Sequence, residues 1–139
     1  MPLKRTAVRL ATALALLTLA LPVAAQSGAT VDVRRLTLDT ARDIAQGAVD
    51  ACRERGYQVT AVVVDRNGDT QALLRDVYAP RMTMEIAKEK AGAVILSGTA
   101  SAELDKNRSD IAAELDHLDE VLTLAGGLPV EVQGSLVGA

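Results

Sequence analysis

The spacing of hydrophobic and polar positions changes several times along the chain, and each change marks an element. Ala41, Ile44, Ala45, Ala48 and Cys52 recur at helical spacing, with Arg42, Asp43, Asp50, Arg53 and Glu54 opposite. Thr37 is placed to cap this helix, Asp39 adds negative charge to its first turn, and Gly56 closes it. Val59–Val64 is an unbroken run rich in β-branched residues, the pattern of a strand covered on both faces. Asp65-Arg66-Asn67-Gly68-Asp69 reads as a hairpin turn around its Asn-Gly pair. Thr70–Arg75 is then the antiparallel return strand, and Asp76–Arg81 a loop. Met82–Leu96 is a second helix, ended by Gly98.

The second half is less regular. Ser101-Ala-Glu-Leu opens a short third helix, and 105–117 is a charged loop with helical pieces. Val121–Leu124 reads as a strand, Ala125-Gly126-Gly127 as a tight bend, and Leu128–Val132 with Ser135–Ala139 as a second hairpin around Gln133-Gly134. The order predicts an α+β fold, an antiparallel sheet of about five strands packed with helices. There is no βαβ repeat and no dinucleotide glycine fingerprint. The chain stops inside its last expected strand, so the domain is expected to be incomplete at the C-terminus.

The N-terminus follows a different logic. Lys4, Arg5 and Arg9 form a basic region, and an apolar stretch from Leu10 to Leu21 follows. Pro22 ends that stretch, and Val23-Ala24-Ala25 supplies a small-residue cleavage pattern. Residues 1–25 are therefore expected to be a signal peptide cut before Gln26, with 26–139 a single exported domain, periplasmic or secreted. That peptide holds three of the 15 Lys+Arg and none of the 18 Asp+Glu, so the remainder carries a net charge of −6. Such a balance argues against nucleic acid and, once the signal is removed, against anionic membrane surfaces as partners.

Composition then narrows the core. Phe and Trp are absent, and Tyr57 and Tyr78 are the only aromatic residues. Ala-rich packing buries little area per contact, so homo-oligomer formation is expected to recover some of the missing burial. Cys52 is the single cysteine, which excludes an intramolecular disulfide and reads as a buried helix-packing residue.

Candidate chemistry is sparse. His117 is the only histidine, so paired-histidine zinc sites are excluded. Asp65, Asn67 and Asp69 alternate like the start of a calcium loop, but the distal glutamate position is Asp76. The hairpin is the better reading. Gly126-Gly127 could approach a ligand closely, although a bend is the simpler reading. No nucleophile and base fall in a recognisable arrangement, which makes an enzyme the weaker expectation.

Several ordered segments resemble the GlcG/HbpS family of small haem-binding proteins. They are Leu36-Thr-Leu with its Ala-rich helix, Val62-Val-Val-Asp65 through Gly68, and Leu73-Leu-Arg75 with Ala79. Ile86-Ala-Lys-Glu-Lys90-Ala, Gly126-Gly127-Leu-Pro129 and Gly134-Ser-Leu-Val-Gly138-Ala complete the set. The resemblance implies an oligomeric α+β fold with a five-stranded antiparallel sheet, related to domains fused to corrinoid adenosyltransferases. It also implies haem or a related tetrapyrrole as ligand. Family members carry glycine where this chain has Tyr78, and continue past Ala139 into a further loop and helix.

The leading expectation is an exported, non-catalytic haem-binding protein, an accessory to haem sensing or uptake. Haem iron takes His, Tyr, Met or Cys as axial donor. The donors available are His117, Tyr78, Met82, Met84 and Cys52. Tyr78 is the first choice for the metal and His117 the second, with Met82, Arg75 and Lys90 as further cofactor-binding candidates. The first alternative is an enzyme or binding protein for a small organic acid, with Arg75 and Lys90 gripping a carboxylate. The second is an oligomeric partner-binding module.

Overall fold

In a computed structural model, residues 28, 30–115 and 117–139 are described. The expected signal peptide, residues 1–25, lies outside the described residues. Residues from Val33 onward form one compact unit. Among the described residues no helix is long and apolar enough to cross a membrane.

Helix α1 spans Leu38–Glu54. Thr37 caps it as expected: its hydroxyl accepts the Thr40 N–H at 3.2 Å. Past the other end Gly56 has a φ of 82°, a conformation open to glycine without cost, and this lets the chain turn toward the sheet. Strands β1 (Thr60–Val64) and β2 (Thr70–Arg75) pair antiparallel, with Val62 opposite Leu73 and Thr60 opposite Arg75. The turn between them is built on Asp65, whose buried carboxylate accepts the N–H groups of Asn67 at 2.8 Å and Asp69 at 3.1 Å. The Asp-Asn-Asp alternation is thus a hairpin brace.

Helix α2 covers Thr83–Ser97 and ends on Gly98 at a φ of 70°. The two helices take opposite faces of β1. Val63 and the partly buried Ala61, Ala72 and Leu74 pack with Ala41 and Ala45 of α1. Val64 and Val62 pack with Ala91 and Val94 of α2. The β-branched run therefore sits between two Ala-faced helices, which small side chains allow to come close.

Beyond α2 come a 3-10 turn at Ser101–Glu103 and two short helices, α3 (Leu104–Asn107) and α4 (Ala112–Leu115). Leu104 and Leu115 pack against Ala93 of α2. Strands β3 (Val130–Val132) and β4 (Ser135–Gly138) make the second hairpin. Val64 and Ala139 exchange backbone hydrogen bonds of 2.9 and 3.2 Å, which tie β4 to the end of β1. The approach is tight: a Cβ on Gly138 would lie 2.3 Å from the Val64 carbonyl oxygen.

The α+β class stands, with corrections. The described residues hold four strands in two two-stranded sheets, where about five in one sheet were expected. The expected strand Val121–Leu124 is irregular. Its Leu122 N–H donates to the Glu89 carbonyl of α2 at 3.1 Å, and its Leu124 carbonyl accepts the Ser101 hydroxyl at 2.8 Å. Backbone groups used in this way are lost to strand pairing. Gly92 permits the arrangement, because a Cβ there would meet the Glu120 carbonyl oxygen at 2.5 Å. Cys52, expected to be buried, is partly exposed.

Candidate functional site

The two ends of the β1–β2 hairpin differ in chemistry. At the open end, the Asp76 N–H donates to the Val59 carbonyl at 2.9 Å, extending the ladder one step beyond the strands. Tyr57 and Gln58 therefore enter β1 beside the place where Val77 and Tyr78 leave β2. Helix α2 begins a few residues later, at Met82 and Thr83. Four large side chains on these two connections stay in solvent: Tyr57 is 65% exposed, Val77 76%, Tyr78 81% and Met82 66%. Both aromatic residues of the chain stand at this one end, uncovered. A grouped apolar surface of this kind marks a place where something else binds.

The loop bearing this surface is held firmly from beneath. Arg53 of α1 grips the buried Asp76 carboxylate through Nε, at 2.9 and 3.0 Å, and through Nη2. Hydrogen bonding to Arg53 holds the Asp76 carboxyl below the usual carboxylate range, against the opposing pull of burial. Arg75 donates to the Ala79 carbonyl and, at 3.4 Å, to that of Asp76. The loop is thus anchored while Tyr78 projects. Tyr78 is also not among the residues with positive φ, which in the described chain are glycines and Gln133. Its backbone does not require the glycine found in family members.

A groove of about 210 Å³ opens beside this surface, between Val59 and Thr60 on one side and Thr83, Ile86 and Lys90 on the other, with Gln58 at its rim. Thr83, Ile86 and Lys90 lie on one face of α2 at spacings of three and four. Two hydroxyls close the groove at one end. Thr83 donates to the Pro80 carbonyl at 2.6 Å, so its oxygen accepts the Thr60 proton across a further 2.6 Å. Neither hydroxyl keeps a free proton, and the donors left to the groove are the Gln58 amide and the Lys90 ammonium. Among the described residues no carboxylate pairs with Lys90.

Of the residues singled out from the sequence, Arg75 ends β2, and Tyr78 and Met82 stand on the connection from β2 to α2. Lys90 lies two turns further along α2. His117 is exposed and belongs to the turn after α4, whose Leu115 packs near Ala93. Ala93 is about 16 Å along α2 from Met82 at 1.5 Å per residue. The structure therefore groups Arg75, Tyr78 and Met82, sets Lys90 about 12 Å further along α2, and places His117 toward that helix's other end. Gly126-Gly127 serve the fold, since a Cβ on Gly127 would lie 2.7 Å from the Lys90 carbonyl and 2.8 Å from a Val94 methyl.

Tyr57 was missed by sequence reasoning. The signal lay in the hairpin register, which pairs the residues before β1 with those after β2 and so brings the two tyrosines to one end.

A sequence model for the family described as "haem degrading protein HbpS-like" matches residues 36–139. The chain belongs to this GlcG/HbpS family. The structure is similar to the crystal structure of HbpS, with 37% identity, a TM-score of 0.74, and coverage of 84% of this chain and 82% of that one. It is also similar to PduOC solved as a haem complex, with 25% identity, a TM-score of 0.65, and coverage of 76% and 79%. Klebsiella pneumoniae ORFY, a protein of the DUF336 family, shares the fold at 23% identity and a TM-score of 0.65, with coverage of 79% of each chain. No curated protein matches significantly.

The donors at the open end suit haem. A phenol oxygen is a recognised axial donor, and an exposed apolar surface suits a flat macrocycle. A groove of about 210 Å³ falls below the roughly 300–1,000 Å³ of pockets that enclose a ligand. Haem at this place would be covered on one side only by a single copy of the chain.

Proposed function

We propose that this protein binds haem at the open end of the β1–β2 hairpin. The observation that carries the reading is that Tyr57, on the connection from α1 to β1, and Tyr78 and Met82, on the connection from β2 to α2 that Arg53 and Arg75 brace, are all mostly exposed at one end of the hairpin. Family membership and the haem complex of a structural relative supply the ligand class. Tyr78 is the first choice of iron ligand at this end; His117, the second choice from the sequence, lies toward the other end of α2 and could serve only haem held there. A tyrosinate oxygen is hard and anionic, which favours ferric over ferrous iron and suits an oxidising compartment. Iron chemistry comes with the haem; the chain's part is to seat it, exclude water from one face and supply the axial oxygen.

The protein acts after export, in a periplasm or outside the cell, as an accessory to haem sensing or uptake. Its signal pattern at 1–25 supports this placement. It works as a homo-oligomer, in which a second copy covers the exposed face of the ligand. Binding without turnover is the activity in this reading, although the family model is described as haem degrading.

Hemin titration followed at the Soret band tests the reading. A saturable Soret shift is expected, weakened at least tenfold in the Tyr57→Ala/Tyr78→Ala variant. A wild-type protein that leaves the hemin spectrum unchanged overturns haem binding. Bleaching of the bound Soret band on adding ascorbate in air overturns binding without turnover.

A further inference from the structure

We infer that the groove between β1 and α2 is a pocket for a carboxylate carried on a short apolar arm. Three features of the groove carry this. Its one charged group is the Lys90 ammonium, which has no ion-pair partner among the described residues although the chain as a whole is acidic. Arg35, Arg53 and Arg108 are held by aspartates, whereas Lys90 shares its unpaired state with exposed cations such as Arg55 and Arg66 and differs from them in lining a groove. An ammonium left without a counterion beside apolar walls gains from an incoming anion, because a bound apolar arm displaces part of the water that would screen the pair.

The second feature is the walls themselves. Val59, Ile86 and Ala87 make an apolar lining, while the Thr60–Thr83 pair closes one end with its protons already donated. The groove can offer donors only at Lys90 and Gln58. It therefore selects a ligand that is acceptor at one end and hydrocarbon along its length. The third feature is access. Lys90 Nζ would be 3.4 Å from a Cβ at Gly126, so the ammonium sits next to a position with no side chain to cover it.

Size limits the occupant. At roughly 30 Å³ per water, about 210 Å³ is room for about seven waters, hence for a molecule of about that many non-hydrogen atoms. Two sources fit this chemistry. One is a free short-chain acid such as 3-methylbutanoate. The other is a propionate arm of haem reaching in from the adjoining tyrosine surface, and this second source rests on the haem reading above. The sequence had paired Arg75 with Lys90 for such a task. The structure leaves Lys90 alone in it, because Arg75 is engaged with Ala79 and Asp76.

Separate titrations of the full-length protein with 3-methylbutanoate and with hemin test the pocket. The acid is followed by amide chemical shifts at Thr60, Thr83 and Lys90, and hemin by its Soret band. Both are repeated with Lys90→Met and Lys90→Arg, and 3-methylbutan-1-ol serves as the uncharged control. Saturable shifts with the acid, at least fivefold weaker in Lys90→Met and retained in Lys90→Arg, establish the pocket with a free acid as occupant. Hemin affinity that falls at least fivefold in Lys90→Met, is retained in Lys90→Arg, and is competed by the acid establishes it for the propionate arm. The inference is overturned if the alcohol binds as well as the acid, or if Lys90→Met changes neither titration. Acid binding by a protein that ignores hemin would remove the haem reading and leave the pocket standing.

Discussion

The turn end and the open end of the β1–β2 hairpin are made from the same two strands and do opposite things. At the turn end the buried groups are engaged. The buried Asp65 carboxylate holds two backbone N–H groups and Arg35, and Val64 is paired to Ala139 across a gap that admits only glycine at position 138. At the open end Arg53 and Asp76 fix the backbone, while two tyrosines and a methionine stay mostly exposed and a lysine has no ion-pair partner among the described residues. Satisfied groups at one end supply stability, and the unsatisfied surface at the other is available for binding. Substitutions at the turn end should therefore cost folding, and those at the open end should cost ligand.

The largest stability effect is expected from Gly138→Ala. The new methyl would sit 2.3 Å from the Val64 carbonyl oxygen and 2.9 Å from a Leu36 methyl, and the carbonyl cannot move without disturbing the Val64–Ala139 pair. A loss of about 3 kcal/mol is expected, at the upper end of ordinary overpacking. Urea denaturation measures it, and an unchanged midpoint would show that β4 is not held as described.

Asp65→Ala comes next. It strands the N–H groups of Asn67 and Asp69 and removes the partner of Arg35. A cost of about 1–3 kcal/mol is expected from the unsatisfied donors. Hemin affinity should stay within twofold of wild type, since the turn is at the far end of the strands from Tyr78. A comparable loss of hemin affinity would break the division between the two ends.

Asp76 links stability to pH. Its folded carboxyl titrates below the unfolded value of about 3.9 because Arg53 bonds the charged form. Its contribution is therefore fully present above that value and is lost as pH falls through the lower, folded one. Asp76→Asn should be less stable than wild type at neutral pH, and the gap in urea midpoint should narrow below about pH 4. A gap independent of pH would mean that the Arg53 contact carries no charge-dependent stabilisation.

The same contrast explains what the sequence disclosed. Elements whose causes are local were legible: the Thr37 cap, the Asn-Gly turn, the β-branched strand and the glycine stops all act within a few residues. The strand expected at Val121–Leu124 failed because its backbone partners, Glu89 and Ser101, are distant in sequence and belong to a helix and a turn. At the open end, Tyr78, Met82 and Lys90 could be picked out by residue type. Tyr57 could not, since its place depends on the ladder running one pair past the strands. Nor could the engagement of Arg75, which follows from where the Asp76 and Ala79 carbonyls point.

The smallest effect on stability and the sharpest on function are expected at Tyr78. The side chain is 81% exposed, so Tyr78→Gly forfeits little packing. Its main cost is added freedom in the unfolded chain, under about 1 kcal/mol. Two roles for the ring lead to opposite ligand outcomes. If the phenol ligates iron, Tyr78→Gly weakens hemin binding and shifts the Soret band, and Tyr78→Phe shifts the band while keeping the stacking surface. If the ring only occupies space that family members leave open with glycine, Tyr78→Gly leaves the spectrum alone or tightens binding. The first outcome is expected, because the loop is clamped by Arg53 and Arg75 while the ring itself is turned to solvent. A ring serving as a plug would instead be packed into the adjoining groove, and Tyr78 is absent from its lining. Should neither Tyr78→Gly nor His117→Ala alter the hemin spectrum or affinity, the iron ligand lies elsewhere on the chain, and the open end would be left with the carboxylate alone.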